Sequence, residues 1–480
     1  MSGLSSAIDT SDGFNVNVDV SFPLAKYAAQ NWIRHENSSD KNKSQSSSVF
    51  LLMMKLLTDE KTAFLNWVRL CDIDDHFSVN LQKQRVEIAN PLYYASLAGL
   101  TEASYALLKM GADVNAWGGY YGNALHGAIN GGHEATAKLL IEKGANVNAQ
   151  GGKYGNALQA ASYAGHKAIA KLLIENEADV SAQGGYYGNT LQAASCGGNQ
   201  AIVKMLIEKG ADVNAQRGKY GSALQAASHE GHEVIAKLLI DKGADVNAQG
   251  GYYGNALYLA SYKDHQVIVK LLIEQGADVN AQGGCYGNSL QAASHNGHEA
   301  IAKLLIEGGA DVNTQGGWYG NALMAASHRG HEAIVKLLIN KRVDVNAHVQ
   351  GRYFGTALQV ASHKGHEAIA KLLIDKGADV NSQEGYLGNS LQAASHEGHE
   401  TMTELLIYKG AEVNAQGGCY GNALQAASHK GHEAIAKLLI KKGADVNAQG
   451  GYYRDASYQG HEAIAKLLMQ KGVLQSPTNC

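Results

Sequence analysis

The chain has 480 residues, a net charge of −4, 45% apolar residues, 56 glycines and only 3 prolines. It is too apolar for a disordered chain, and so much glycine with no Gly-X-Y period and so little proline is not collagen. The slight acidity gives no basic field for a nucleic-acid partner, and the longest apolar run, Val49 to Met54, is far too short to span a membrane.

The five cysteines, Cys71, Cys196, Cys285, Cys419 and Cys480, form no CxxC pair, which fits free thiols in a reducing compartment. The opening MSGLSSAIDTSDG has neither a charged start nor an apolar core, so no secretory signal is read there. A cytoplasmic location is expected, with the nucleus left open. Residues 1–20 are small and polar and are expected to be disordered. Residues 21–90 read as a helical capping or linker region, with helices over 22–36 and 48–72 split by the polar stretch Asn37 to Ser48. Trp32, Phe50, Leu51, Leu52, Leu57, Phe64, Trp67 and Leu70 are too apolar to stay exposed. A stack of repeats needs a cap at its end, so these helices are expected to pack on the first repeat. The alternative is a docking face for an upstream domain.

From Pro91 a leucine, usually preceded by alanine, recurs. Leu92, Leu125, Leu158, Leu191, Leu224, Leu257, Leu290 and Leu323 fall 33 residues apart, Leu358 follows after 35, and Leu391 and Leu424 return to 33. With a shortened last copy this makes about twelve repeats over 91–472 and a tail at 473–480. One repeat, Tyr420 to Gln449, reads as follows. Ala423 to Lys430 is a short alanine-rich helix, ended by Gly431 with a positive φ. Glu433 to Lys442 is a second helix, with Ile435, Leu438 and Leu439 on one stripe. Gly443 ends it, and Ala444 to Gly451 is an extended, glycine-tipped loop. Both helices are below the ~12–15 residues at which isolated helices become marginal, so the repeats must stack to persist.

These residues resemble the ankyrin repeat. The matching run is Asn-Ala-Leu-Gln-Ala-Ala-Ser-x-x-Gly-His-Glu-Ala-Ile-Ala-Lys-Leu-Leu-Ile-x-Lys-Gly-Ala-Asp-Val-Asn-Ala, as at Asn422 to Ala448, and it covers about four fifths of the chain. The resemblance implies an all-α ankyrin-repeat solenoid of helix-turn-helix-loop units, here with the N-terminal helical cap expected above; a monomer is expected. The family's Thr-Pro-Leu-His opening is here Asn-Ala-Leu-Gln in most repeats, and only the second keeps the histidine, His126. Asn and Gln contacts are expected to replace the family's Thr–His bonds inside each repeat. The variant Gly-Gly-Tyr-Tyr-Gly-Asn-Ala-Leu resembles the C-terminal ankyrin arrays of fungal NLR-like (NACHT-type) proteins, as do the stretches 22–32 and 64–70 before the array. Such proteins carry a nucleotide-binding ATPase upstream. No G-x-x-x-x-G-K-[ST] occurs here, so the resemblance implies an array that stands alone or is separated from its ATPase.

Core positions barely change between repeats, while three positions vary. The first is the loop tip, giving the candidates Tyr120, Lys153, Tyr186, Lys219, Tyr252, Trp318, Tyr353, Tyr386 and Tyr452. The other two follow the serine of the first helix and give Tyr163, His229, Tyr262, His295, His328, Arg329, His363, His396 and His429. The resemblance places these on the concave face that touches partners, and aromatic residues and arginine are the types that anchor interfaces. The array is therefore expected to be a protein–protein interaction module or scaffold. The alternative is a sensor fragment of an NLR-like system acting with a separate ATPase.

The recurring Gly-His is read as structural, because it repeats in every layer; the family resemblance has it start the second helix and bond to loop backbone. The outer histidines lie one layer apart, and layers ~10 Å apart are not expected to share a metal whose bonds are ~2.0–2.1 Å. These histidines would sit side by side near their intrinsic pKa, which would make a pH-sensitive face. No G-x-S-x-G or HExxH occurs. No catalytic residue, metal, cofactor or small-molecule substrate is therefore expected. Three local faults stand out: Glu177 and Arg342 replace the glycine after the second helix, and Asp264 replaces the turn glycine. Arg342 adjoins a two-residue insertion near His348-Val349, and a hinge or the weakest interface of the array is expected across 335–360.

Overall fold

The computed structural model describes residues 48–58, 64–65, 67–68, 88–252, 254–349, 354–448 and 462–470. The expected disorder of 1–20, the helix over 22–36 with Trp32, Leu70 and the tail at 473–480 lie outside the described residues, as do the candidates Tyr353 and Tyr452. The chain divides into two compact halves, Met1–Tyr252 and Tyr253–Cys480.

Each half is a succession of short helix pairs. The first half holds Pro91–Leu97 with Thr101–Lys109, Ala124–Asn130 with Glu134–Glu142, Ala157–Ala164 with Lys167–Glu175, Thr190–Cys196 with Gln200–Glu208, and Ala223–Glu230 with Glu233–Asp241. The second half holds Ala256–Tyr262 with Gln266–Glu274, Ser289–Asn296 with Glu299–Glu307, and Ala322–Arg329 with Glu332–Asn340. Ala357–Lys364 with Glu367–Asp375, Ser390–Glu397 with Glu400–Tyr408, Ala423–Lys430 with Glu433–Lys441, and finally Glu462–Gln470 follow. The first helix of a pair begins where a short polar side chain, usually asparagine, caps it: Asn156 Oδ1 accepts the Gln159 amide at 2.8 Å, and Ser222 and Thr356 cap in the same way. It ends on a left-handed residue such as Gly431, φ 80°. The second helix buries one stripe, Ile235, Ala236 and Leu239 in one repeat, while small Ala226 and Ala227 are wholly buried and let neighbouring first helices approach. Each fully buried leucine or isoleucine contributes about 1.5–3 kcal/mol, and the neighbouring repeat supplies much of the cover.

The loops are more ordered than the sequence suggests. They form minimal antiparallel hairpins, with Gln150–Gly151 paired to Gly155–Asn156 and Gln183–Gly184 to Gly188–Asn189. Single bridges occupy the same place elsewhere, as at Gly316 and Gly320. The glycine pair before most tips has a steric reason. Gly317 sits at φ 59°, and a Cβ there would lie 1.9 Å from the Tyr286 carbonyl oxygen of the preceding hairpin.

Adjacent repeats are clasped by a residue to which the sequence assigned no role, the asparagine of Asp-Val-Asn. Asn280 donates to the Gly309 carbonyl at 3.2 Å and accepts the Asp311 amide at 2.8 Å. Asn148 and Asn214 do the same in the first half. The expected replacement of Thr–His bonds by Asn and Gln is present but reaches further than one repeat. Gln192 Nε2 donates to the Ala215 and Gly221 carbonyls of the next loop, at 3.2 and 2.6 Å.

The three faults keep the glycine backbone. Glu177, Asp264 and Arg342 lie at φ 65°, 66° and 62°, and they are the non-glycine residues with positive φ among the described residues. The expected hinge at 335–360 is partly outside the description, since 350–353 are not described. On its two sides the clasp continues: Asn346 donates to Gly377 at 2.9 Å, and the Val349 amide donates to the Gly355 carbonyl at 3.2 Å.

Before the array, the helix expected over 48–72 is a helix over Ser48–Thr58, with further helical residues at 64–65 and 67–68. Phe50, Met53, Leu57, Phe64 and Trp67 are buried. The Phe64 and Trp67 rings meet Tyr94 of the first repeat edge-on, with centroids 5.8 and 6.1 Å away. Leu51, expected to be covered, is 58% exposed. It lies off the stripe of Phe50, Met53 and Leu57, which are spaced i, i+3 and i+7.

Candidate functional site

The hairpin tips form a row within each half. The Tyr252 amide donates to the Lys219 carbonyl at 3.0 Å, the Trp318 amide to that of Cys285 at 3.0 Å, and the Cys419 amide to that of Tyr386 at 2.9 Å. Backbone bonds thus hold successive tips in register, while their side chains point outward. Tyr120, Tyr186, Tyr252, Trp318 and Tyr386 are between 50% and 83% exposed. Lysines in the row pair with the rings beside them. Lys153 Nζ lies 5.5 Å over Tyr120, and Lys219 Nζ lies 5.2 Å over Tyr186 while also donating to its hydroxyl at 2.6 Å.

The second group of candidates lies deeper. Tyr163, His229, Tyr262, His328 and His429 are half-buried, His295, His363 and His396 are buried, and Arg329 is exposed. Their rings interleave with the aromatic residue that follows most tips. In the first half Tyr154 and Tyr187 lie parallel at 6.3 Å, with Tyr163 4.7 Å from Tyr187. In the second, Tyr286, His295, Tyr319 and His328 follow one another at 4.2, 4.9 and 4.7 Å. Edge and offset contacts of this kind add about 0.5–1.5 kcal/mol per pair beyond area.

For four of these histidines the packing corrects the expectation that they titrate near their intrinsic pKa. Burial pushes His295 and His396 down, and pushes His328 and His363 down to about 4. For His328 the nearby Lys364 adds to burial. For His363 the facing Glu397 opposes burial without overcoming it. The histidine of Gly-His also differs in detail from expectation. Its Nε2–H donates to the first helix of the preceding repeat and not to a loop, as with His331 on the His295 carbonyl at 3.0 Å and His432 on that of His396 at 2.9 Å.

Histidines one layer apart, expected to be too distant to meet at one point, do converge at one place. His363 Nδ1 lies 3.5 Å and His396 Nδ1 2.6 Å from Glu397 Oε1, and the three groups fall within 4.8 Å of one another. Burial alone would raise the Glu397 carboxyl, but His363 and His396 hold it below the ordinary range. Helix axes are a layer apart; side-chain ends are not. Sequence reasoning also passed over Trp117, 57% exposed at the foot of the first hairpin, and Tyr408, 85% exposed on a second helix. Both were visible as departures from the repeat, Trp117 standing where Gln150 and Gln183 stand later.

Five successive segments, 68–151, 125–217, 193–283, 289–384 and 389–478, match the family described as ankyrin repeats (3 copies). The chain belongs to the ankyrin-repeat family. Ankyrin repeats are protein-interaction modules, and the fold is typically non-enzymatic. A segment of 123 residues is 37% identical to the azaphilone pigments biosynthesis cluster protein L of Monascus ruber, covering 23% of this chain and 25% of that protein. The chain thus spans about a quarter of that relative's length. The ankyrin-repeat domain of human ASB11 is similar at 26% identity, over 47% of this chain and 99% of that one, with a TM-score of 0.42. Among the described residues no helix is long and apolar enough to cross a membrane.

Proposed function

We propose that the array is a scaffold whose loop-tip row binds a protein partner, with Tyr120, Tyr186 and Tyr252 as anchors in the first half and Trp318 and Tyr386 in the second. One observation carries this reading: large aromatic rings stay exposed on the hairpins, and three of them, Tyr252, Trp318 and Tyr386, sit on tips held to a neighbouring tip by a backbone bond. Such rings lose little conformational entropy on binding and supply most of the energy of an interface. Lys153 and Lys219 add charge beside them. Within each half the interleaved rings form a floor, with Tyr163 in the first half and Tyr262 and the histidines from His295 onward in the second, where Arg329 is exposed at the edge. On this reading residues 21–90 cap an array that runs over 91–472, supported by Phe64 and Trp67 on Tyr94. The protein acts as a monomer with no cofactor or small-molecule substrate. Its free Cys196, Cys285 and Cys419 suit the reducing cytoplasm.

The test is affinity capture with the full chain against a Tyr186→Ala, Tyr252→Ala and Trp318→Ala variant. The expected outcome is loss of partners by about tenfold or more, the scale of truncating interface anchors. If every partner stays bound, the tip row is not the binding surface. A finer reading, a sensor fragment working with a separate nucleotide-binding ATPase, rests on the Gly-Gly-Tyr-Tyr-Gly-Asn-Ala-Leu resemblance. It requires capture of such an ATPase through residues 22–90, and it falls if deletion of those residues leaves the captured set unchanged.

A further inference from the structure

We propose that His363, His396 and Glu397 form a binding site for a zinc ion. The two histidines end the first helices of consecutive repeats, Ala357–Lys364 and Ser390–Glu397, and Glu397 is the last residue of the second. In a tetrahedral site with bonds near 2.0–2.1 Å, ligand atoms lie about 3.3 Å apart. Glu397 Oε1 is 3.5 Å from His363 Nδ1 already. The 2.6 Å separation from His396 Nδ1 opens to that value by a small rotation of the glutamate. Two imidazoles and one carboxylate are an established donor set for zinc, with the remaining coordination place left to water.

The surroundings hold these groups in place. Both histidines are buried, at 9% and 5% exposure. His396 Nε2 meets the Tyr420 hydroxyl at 2.6 Å, the second bond that a metal-bound imidazole normally makes through its other nitrogen. That bond leaves Nδ1 directed at Glu397. The His363 ring packs against Phe354, with centroids 4.9 Å apart. The backbone carbonyls of both residues are gripped by the next repeats: His399 donates to His363 and His432 to His396, each at 2.9 Å. Glu397 is about a third exposed, so an ion has a way in.

The donor atoms choose the metal. Glu397 is the one carboxylate of the group, and the charges of Lys364 and Lys430 act against any cation here. Calcium and magnesium need several oxygen ligands and gain little here, whereas zinc bonds neutral imidazole. Among the described residues this is the group of three whose donor atoms all converge. The similar pair His229 and Glu230, 2.7 Å apart, has Cys196 in place of a histidine one repeat earlier and is not among the groups whose donor atoms converge.

The experiment is zinc titration of the untagged full chain against a chromophoric chelator, using zinc chloride alone. His363→Tyr and Glu397→Lys are the test variants. Other repeats carry Tyr262 and Lys430 at those two positions, so the fold accepts both, and circular dichroism checks it. The expected result is uptake of one equivalent by the native chain, weakened at least about tenfold in each variant. Cobalt should give the intense visible absorption of a low-coordinate ion, lost in both variants. No stoichiometric uptake by the native chain, or uptake unchanged in Glu397→Lys and His363→Tyr, overturns the proposal.

Discussion

The Asp379 amide donates to Asn346 Oδ1 at 2.8 Å although the two residues are 33 apart, where the other clasps span 31. The two-residue insertion is therefore absorbed in the hairpin and not in the junction between repeats. Asn346 also donates to the Gly377 carbonyl, so one side chain carries two bonds across the faulted interface. Asn346→Ala removes both. These groups are exposed and regain water, so the loss is about 1–2 kcal/mol for the pair. Its effect should be local: amide exchange over 354–380 should accelerate while 290–330 is unchanged. Unchanged protection over 354–380 would show that apolar packing alone holds this junction.

Glu177 and Arg342 offer a gain of stability. Each sits where other repeats place a glycine such as Gly443, φ 92°, around which an added Cβ meets nothing within 4 Å. The cost there is conformational only: about 1–2 kcal/mol for a side chain in the left-handed region, less about 0.5–1 kcal/mol of glycine's greater chain entropy. Glu177→Gly and Arg342→Gly should each stabilise by about 0.5–1 kcal/mol in urea denaturation. Asp264 differs. At its register the neighbouring Gly297 would carry a Cβ 2.6 Å from the His331 ring, and Asp264 instead lies 3.7 Å from His298 Nδ1. Asp264→Gly relieves the backbone but loses that contact, so its gain should be the smallest of the three. A largest gain at Asp264 would refute this ranking.

These cases mark what a sequence can convey. Gly431, Gly443 and the three residues that break their pattern were legible because a positive φ is a property of one residue and its neighbours. The apolar stripe of Ile435 and Leu439 was legible for the same reason. The clasp of Asn280 was not, since its bonds reach 29 and 31 residues away to backbone atoms that any sequence supplies. The convergence of His363 with His396 and Glu397 was hidden by a different error: layer spacing limits helix axes, not the ends of side chains that lean together. The histidine pKa values went the same way, because burial between Tyr286 and Tyr319 cannot be read from a position that merely varies.

Acid should weaken both halves. His126, almost fully buried, is lowered by burial from 6.5 to about 4, with the nearby Tyr121 and Ala149 backbone acting weakly the other way. His328 is lowered to about 4 by burial and then by Lys364. A base whose folded pKa is depressed is protonated more readily in the unfolded chain. Stability is thus complete above about pH 6.5 and is lost as pH falls toward 4. The loss is about 1.4 kcal/mol per pH unit for each such histidine within that window. His126→Gln restores the residue most repeats carry, and the first half's denaturation midpoint should then fall less between pH 7 and 4.5 than in the native chain. An equal fall in both would show that His126 titrates normally.

Gln392 tests how far the repeats depend on a polar link. It is 1% exposed. Its Oε1 accepts the Asn389 amide at 2.7 Å, and its Nε2 donates to the carbonyls of Ala415, Gly417 and Gly421 at 3.2, 3.2 and 2.9 Å. Gln392→Ala leaves a buried donor and buried acceptors without their partner, at about 1–3 kcal/mol for each group that water cannot reach. Gln392→Glu keeps the bond from Asn389 but sets a carboxylate against carbonyl oxygens with no proton to share. At pH 7 it should therefore be the less stable of the two variants. Burial favours the protonated carboxyl, which can donate again, so the order should close or reverse as pH falls toward 5, with the two variants compared at each pH. Urea midpoints decide it. If Gln392→Glu matches the native chain at pH 7, the link from Nε2 to the next loop contributes nothing to the stack.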